Sequence, residues 1–568
     1  MLVAVLDGIG LTLFIPLLQV TDQSGNTAAA SDEMGKMSIV IDAIQGLGID
    51  LTISSVLLLM LFFFCLKGMA KFASGYYTVI LKQRFTNSVR LRNMELLAGY
   101  DYQSFVGADS GMIQNTFSGE VERLNAAYRN YFFMLQQSIM CVVYVALAYF
   151  ANPQFALIVA VGGVLSNLLF NRIYKTTKKA SRQITLKTHI FQGFLIQSVT
   201  SFKFLKATDL MQNYKRKIDH IIQKVEIEQR RVGTMGSLAA AMREPLIIFI
   251  VVIGILIQIE IFGGSLGSII LSLLFFYRGL TYLVATQSFY NGFLGNSGSI
   301  ENMETFVSTL ENNQETIGPV ELVQLRKGLE LKDLTYGYDG YDLLQNLDLR
   351  VEKNETLGVV GESGTGKTTL VNILCGLLRV QDGMYKVDGI DSTELNMHDL
   401  RRRIGYVTQE AQVFSDNIFN NVSFWEERTP ENEERVWKAL KLSHAAEFVN
   451  ELPDRLDSVI GSNGINLSGG QRQRISIARE LYRDIDILVL DEATSALDSQ
   501  SENLIQENIE SLSGSYTMIV IAHRLSTIKN ADKILYLKRN GEYEIGSFND
   551  LCRTSTTFQR MVALQSVG

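Results

Sequence analysis

The stretch LGVVGESGTGKTTL, Leu357–Leu370, decides how the rest of the chain is read. Leu357–Val360 is an apolar run of strand length, and Gly361–Thr368 fits the pattern G-x-x-x-x-G-K-[ST] before a helical pattern begins. Strand, glycine loop and helix start, in that order, are the context in which such a loop holds phosphate. Glycines let backbone N–H groups face phosphate oxygens, and the helix N-terminus adds partial positive charge. In that arrangement Lys367 reaches the β- and γ-phosphates and Thr368 places its hydroxyl on Mg²⁺.

Downstream, DILVLDEATSALD (Asp486–Asp498) contains the apolar run Ile487–Leu490, short enough for a buried parallel strand. It ends in Asp491 and Glu492, at the strand end where open α/β sheets carry ligands. Asp491 suits the Mg²⁺ shell and Glu492 suits polarising an attacking water. Alone, an Asp-Glu pair is more often a solvated strand end; the phosphate loop upstream favours the functional reading. NLSGGQRQR (Asn466–Arg474) is a second glycine loop entering a helix. Ser468 there either caps that helix or helps bind a phosphate. The first loop has its own helix, so a second anion-binding loop calls for another nucleotide. From residue 326 onward, short β-branched runs alternate with helical patterns, as in an α/β domain.

Upstream the character changes. The apolar fraction of the 568 residues is an ordinary 47%, but long apolar runs crowd the first 300. A window of about 20 apolar residues picks out 1–20, 53–79, 131–150, 154–173, 245–262 and 266–288 as candidate spans. Arg172–His189 and Tyr214–His220 are rich in Lys and Arg, whereas Thr21–Met37 is mostly acidic and polar. The positive-inside rule therefore puts the long stretches 82–130 and 174–243 in the cytoplasm, with the short connections outside. Their helical periodicity predicts helices that run well past the bilayer, bending near Phe117–Leu124 and Ile196–Asp209. Met37–Leu51 reads equally well as a short external helix on the bilayer surface or as a loop. The first segment lacks a basic start and a small-residue cleavage site, and reads as a membrane helix rather than a signal peptide.

The expected fold is thus an all-α transmembrane six-helix domain, residues 1–300, then a linker, 301–325, then an α/β P-loop NTPase domain, 326–568. The net charge of −7 argues against nucleic acid as a partner. The four cysteines, Cys65, Cys141, Cys375 and Cys552, have no metal spacing and no paired framework.

Taken together, GESGTGKTT, Gln409 in GYVTQE, LSGGQ, ILVLDE, SALD and His523 in IAHRLS stand in the order found in ATP-binding cassette domains. With six spans ahead of the cassette, the chain resembles an ABC exporter half-transporter, an ATP hydrolase coupled to transport. The resemblance implies ATP and Mg²⁺ as cofactors and further roles by position. Tyr338 would stack on adenine. Gly361, Glu362, Ser363, Gly364, Thr365, Gly366, Lys367, Thr368 and Thr369 would cradle the phosphates. Thr368, Gln409 and Asp491 would face Mg²⁺, and Glu492, His523 and Gln409 would act at the γ-phosphate. Ser468, Gly469, Gly470, Gln471 and Asp498 would act in trans, closing over ATP held by the other cassette. In that family two cassettes dimerise, so one of each motif per chain, none disabled, implies a homodimer with two competent sites, with a heterodimer as the alternative; the resemblance also implies the bacterial inner membrane, with the cassettes in the cytoplasm. One departure is Ser462 in VIGSNGINLSGGQ, where many exporters carry a glutamate.

Three ionisable residues, Asp7, Lys67 and Arg278, sit within apolar spans at a shared depth, roughly 20–24 Å from the external end of each. One reading is an ion pair of Asp7 with Lys67 or Arg278, or snorkelling of Lys67 to the cytoplasmic surface. The other makes Lys67 and Arg278 a cationic site for an anionic headgroup in the translocation cavity. The layout of Lys67, SGEVERL and FFYRGL looks similar to flippases of lipid-linked oligosaccharides, which implies a lipid or amphipathic substrate drawn from membrane lipids. Lipid A-type and multidrug exporters are close rivals, and an ATP-gated channel or channel regulator is the alternative of another class.

Overall fold

A computed structural model describes residues 2–13, 52–151, 153–260, 266–338, 341–461, 466–491, 506–507, 510–522, 524–539 and 541–566. The chain forms two compact units, one of Met1–Tyr100 with Ser104–Gln314, the other of Asp101–Gln103 with Glu315–Gly568.

The first unit is helical apart from short connections. The helices used below are α1 (Leu2–Thr12), α2 (Ile53–Ala98), α3 (Ser110–Asn115), α4 (Val121–Ala151), α5 (Pro153–Thr200), α6 (Met211–Ala241), α7 (Arg243–Glu260), α8 (Leu266–Leu294) and α9 (Ser297–Asn312), with short helices at Tyr102–Val106 and Phe202–Ala207 between them. Thr52 starts α2 with a reciprocal cap: its side chain accepts from the Ser55 N–H, and the Ser55 hydroxyl accepts from the Thr52 N–H. α2 has 46 residues and α5 has 48, so each is about 70 Å long against a hydrocarbon core of about 30 Å. The helices do continue past any bilayer they cross. Among the described residues, 53–98, 110–150 and 211–257 are long and apolar enough to span. α1, α5 and α8 run into the other expected spans; residues 14–20, and the surface helix or loop expected over 37–51, lie outside the described residues.

One expected bend is found and one is displaced. α5 ends at Thr200, and Asp209, in the left-handed region at φ 54°, turns the chain into α6. The other break lies between α2 and α3, around Gly99–Asp109, not at Phe117–Leu124. There the chain runs on through a single π-helical turn, Thr116–Glu120, into α4. The turn carries the buried Glu120, which accepts from Asn115 Nδ2 (3.2 Å) and Arg123 (3.3 Å); Arg123 also donates to Thr185 Oγ1 (2.7 Å).

The second unit is α/β. A four-stranded antiparallel sheet, order β2-β1-β4-β5, is built from β1 (Gly328–Tyr338), β2 (Tyr341–Glu352), β4 (Asp382–Val387) and β5 (Ile390–Asp391). A six-stranded sheet, order β10-β9-β3-β8-β7-β6, is built from β3 (Thr356–Gly361), β6 (Ile404–Val407), β7 (Ile487–Asp491), β8 (Thr517–Ile521), β9 (Lys533–Leu537) and β10 (Tyr543–Gly546). All its pairings are parallel except β10 with β9. The helices used below are α10 (Lys367–Leu374), α11 (Met397–Arg402), α12 (Gly469–Tyr482) and α13 (Thr556–Ser566).

The continuous apolar runs follow from burial on both faces. Leu357, Val359, Ile487, Val489, Ile519, Ile521, Leu535 and Leu537 enter one core, while Val360, Leu488, Leu490, Met518, Val520, Ile534 and Tyr536 enter the other. Alternate residues of a strand point to opposite faces, so a strand covered on both sides has no polar positions to spare.

Candidate nucleotide site and membrane charge cluster

The parallel sheet places the motifs. β3, β8, β7 and β6 are consecutive neighbours running the same way, so their carboxyl ends share one edge. β3 ends at Gly361, where the glycine loop begins; β7 ends at Asp491; β6 ends at Val407, two residues before Gln409. β8 ends beside Ala522, and register pairs Ile521 with Asp491 on one side and Val359 on the other. Strands lie about 4.8 Å apart, so the β3 loop and Asp491, with one strand between, stand about 10 Å apart at that edge. Glu492, Asp498, His523 and Ser462 lie outside the described residues.

The glycine loop needs its glycines. Gly364 (φ 83°) and Gly366 (φ 93°) occupy the left-handed region, and a Cβ on Gly364 would project into open space. Gly366 is the N-cap of α10. Lys367 folds back over the loop and donates to Gly361 O (2.9 Å) and Glu362 O (3.0 Å), and Thr365 Oγ1 donates to Glu362 O (2.9 Å). The ammonium is thus held over the phosphate cradle by its backbone.

Asp491 accepts from the Tyr406 hydroxyl at 3.1 Å. Burial, and then the Asp491 charge, push the Tyr406 phenol far up, so it stays a donor. Burial, with Asp491 adding to it, pushes the Cys375 thiol up to about 12, as suits an inert packing residue. The residues offered for Mg²⁺, Thr368, Gln409 and Asp491, supply only oxygen or amide ligands, the donor set a hard cation takes.

Tyr338 ends β1, about half exposed, its ring 5.5 Å from that of Tyr336 in an edge arrangement. The second glycine loop is a helix start: Ser468 Oγ accepts from Gln471 N (3.2 Å), and Gln471 Oε1 accepts from Ser468 N (2.9 Å). This is a capping box on α12, the bland reading of Ser468, and it leaves Gly469 N–H and Gly470 N–H at a helix N-terminus. Within this chain the structure joins the first glycine loop to Asp491 through one sheet edge; Ser468–Gln471 stand apart, at the start of α12.

One buried hub escaped the sequence reading. The Arg479 guanidinium on α12 donates to Asn421 O (2.7 Å), Gln412 O (2.7 Å) and Asn421 Oδ1 (3.2 Å), and lies 4.9 Å from the Phe414 ring. It ties the helix behind the second glycine loop to the segment following Gln409. Its signal was only an arginine inside the apolar pattern ISIARELY.

In the membrane unit, Asp7 on α1 is buried and forms an ion pair with Lys67 of α2. Its other carboxylate oxygen accepts from the Tyr144 hydroxyl of α4 at 2.5 Å. Lys67 also lies 5.2 Å from the Phe64 ring. Of the pairings left open for Asp7, the structure holds the one with Lys67. Arg278, on α8, lies near enough for its charge to reach Tyr144 and Tyr282 but makes no ion pair with Asp7: Phe275, Phe276, Gly279 and Leu280 face inward, with Gly279 against Tyr144 and Val145, while Tyr277 and Arg278 are exposed. Among the described residues no acidic side chain pairs with Arg278.

Comparison with known proteins fits both units. Residues 23–286 match the ABC transporter transmembrane region, and residues 344–495 match the ABC transporter domain. The heterocyst differentiation ATP-binding protein HepA of Nostoc sp. is 30% identical over 84% of this chain and 78% of its own length. The ATP-dependent lipid A-core flippase of Ralstonia nicotianae is 30% identical over 85% of this chain and 83% of its own. A bacterial Atm1-family ABC exporter, solved with ATP bound, shares the fold with a TM-score of 0.79 at 20% identity, over 99% of this chain and 97% of that one.

Proposed function

The chain belongs to the ABC transporter family, an exporter with membrane region and ATP-hydrolysing domain in one polypeptide, and from that premise we propose a homodimeric lipid flippase of the bacterial inner membrane with its cassettes in the cytoplasm. The observation that carries the site assignment is the shared carboxyl edge of β3, β8, β7 and β6. A triphosphate in the Gly361–Thr369 loop meets Lys367, whose ammonium trades its two carbonyl partners for phosphate oxygens. Asp491, Thr368 and Gln409 hold Mg²⁺, which neutralises phosphate charge when bound. Asp491 is fixed for this by the Tyr406 hydroxyl. Glu492, the next residue, polarises the attacking water, and His523, one residue past Ala522, contacts the γ-phosphate. Tyr338 stacks on adenine. Ser468, Gly469, Gly470, Gln471 and Asp498 of each chain complete the other's site, a role supported by the pre-capped helix start of α12, where Ser468 is exposed.

For the cargo, the relatives named lipid A-core flippases and the exposed Arg278 support an amphipathic lipid with an anionic headgroup. Lys67 is already neutralised by Asp7, so Arg278 is the principal cation of the proposed headgroup site. A lipid-linked oligosaccharide is the finer reading, a lipid A-type glycolipid its rival.

Two measurements test this. Glu492→Gln should abolish ATP turnover while keeping ATP binding; normal turnover removes Glu492 from catalysis. Proteoliposomes offered pyrophosphate-linked glycolipids, lipid A-type glycolipids, phospholipids and drugs should show ATPase stimulation and flipping only for anionic lipids. Stimulation by uncharged drugs alone sinks the lipid assignment.

A further inference from the structure

Glu362, the second residue of the glycine loop, puts a carboxylate beside a site proposed to hold a triphosphate. Like charges at such a distance repel. The structure supplies a partner: Arg539 Nε donates to Glu362 Oε2 at 2.6 Å. Both residues line a cavity of about 370 Å³ with Gly361, Ser363, Ala522 and Met561, where Ala522 precedes His523 and Met561 comes from α13.

Arg539 is placed by backbone. It lies in the turn between β9 and β10, closed by Lys538 N–H donating to Glu542 O (2.9 Å). Gly541 in this turn is at φ 75°, and a Cβ there would meet Gln345 at 2.8 Å. The Arg539 carbonyl also accepts from the Tyr341 hydroxyl at 2.9 Å. Tyr341 opens β2, three residues after Tyr338 closes β1. One residue therefore touches both segments assigned to the nucleotide: its carbonyl holds the hairpin that carries the adenine-stacking tyrosine, and its guanidinium holds the phosphate loop.

We propose that Arg539 is a positioning residue of the nucleotide site, cancelling the Glu362 charge and bracketing the Tyr338 hairpin against the phosphate loop. The proposal rests on the reading of Gly361–Thr369 as the triphosphate loop. The competing account is an exposed surface ion pair, and most of those contribute almost nothing. What separates the two is the target. A surface pair changes stability slightly, whereas charge compensation changes nucleotide affinity and depends on Glu362.

The test uses the full-length protein in lipid nanodiscs, with steady-state ATPase and binding of a fluorescent ATP analogue. Arg539→Ala should raise KM for ATP roughly fivefold at low salt, with kcat kept, and the effect should shrink as salt rises. Arg539→Lys should restore most of the affinity. In a Glu362→Gln background, Arg539→Ala should add less than about a twofold rise, because no charge is left to cancel. An unchanged KM, an equal rise in both backgrounds, or a fall in kcat alone overturns the proposal. Lys367→Ala is run alongside. Its loss of nucleotide binding beside an unaffected Arg539→Ala rejects the Arg539 role only; retained binding in Lys367→Ala rejects the loop assignment and the proposal with it.

Discussion

Asp7 and Lys67 form a pair whose removal can be worked through in advance. The Asp7 side chain is 3% exposed and that of Lys67 is 26% exposed, so the carboxylate depends almost wholly on its partners. Those are the Lys67 ammonium and the Tyr144 hydroxyl. Lys67→Met leaves a buried carboxylate with one neutral donor, and removing one member of a buried pair costs about 3–5 kcal/mol. Asp7→Asn leaves the ammonium, which is partly exposed and has the Phe64 face beside it; its cost should fall at the low end of that range or below. Asp7→Asn with Lys67→Met removes both charges and keeps the shapes, so the double variant should cost less than Lys67→Met alone, with a coupling of about 2–4 kcal/mol. The assay is unfolding of the membrane unit in mixed micelles for wild type and the three variants. Additive costs would refute the argument, as would a Lys67→Met variant as stable as wild type. The same variants address cargo. If Lys67 is committed to Asp7, the double variant should still flip lipid, while Arg278→Gln should lose flipping and keep basal ATPase. Loss of flipping in the double variant with its fold intact would return Lys67 to the headgroup site.

Arg479→Ala should destabilise the cassette by about 3–5 kcal/mol, because Asn421 O and Gln412 O lose buried charged donors; thermal unfolding followed at the cassette tryptophans checks it. Burial raises the Glu315 carboxyl, but the hydrogen bonds and charge of Arg401, with His398 and Arg379, outweigh it and hold the group below the usual carboxylate range. A depressed carboxylate contributes stability above its unfolded pKa of about 4.3, lost as pH falls through the folded value. Glu315→Gln should therefore cost about 1–3 kcal/mol at pH 7, and the gap to wild type should close below about pH 4. A pH-independent gap would contradict the ion pair Glu315 makes with Arg401 (Nη1 to Oε1, 2.7 Å). Gly364→Val should reduce ATP binding more than tenfold and cost about 1–3 kcal/mol of stability, since the left-handed backbone strains a β-branched residue even though the space around it is open; nucleotide titration and a melting curve check the two effects.

The cassette was legible because its chemistry is local. Gly361–Thr368 is one continuous loop, and its strand, glycines and helix start sit side by side in sequence. The same holds for Asp491 at the end of Ile487–Leu490. A both-faces-buried strand announces itself as an unbroken apolar run, and parallel strands must present their carboxyl ends together. Arg479 was not legible, because its partners Gln412 and Asn421 lie 67 and 58 residues away, and nothing local marks an arginine that ends among carbonyls. The π turn at Thr116–Glu120 reads as a bend for a related reason. Its sequence breaks the helical pattern with Ser118, Gly119 and Glu120, but only the packing of Arg123 and Thr185 shows that the chain stays in line.

The membrane charges show how far depth alone can go. Counting residues along each span placed Asp7, Lys67 and Arg278 in one layer, and that narrowed the partners of Asp7 to two. Choosing between them needs the rotation of each helix about its axis, which depth does not carry. α8 turns Phe275, Phe276, Gly279 and Leu280 inward, and the small Gly279 lets it close on Tyr144. In a helix, residues 275, 276, 279 and 280 define one face, so 277 and 278 are carried to the opposite side. The apolar residues around Arg278 thus determine its orientation, and its exposure follows from their burial. Tyr144 then fills the place beside Asp7 that a second cation would have taken, and its hydroxyl satisfies the second carboxylate oxygen. With both carboxylate oxygens satisfied, Asp7 does not draw Arg278 into an ion pair, and the arginine, though its charge still reaches Tyr144 and Tyr282, stays exposed for the headgroup role proposed above.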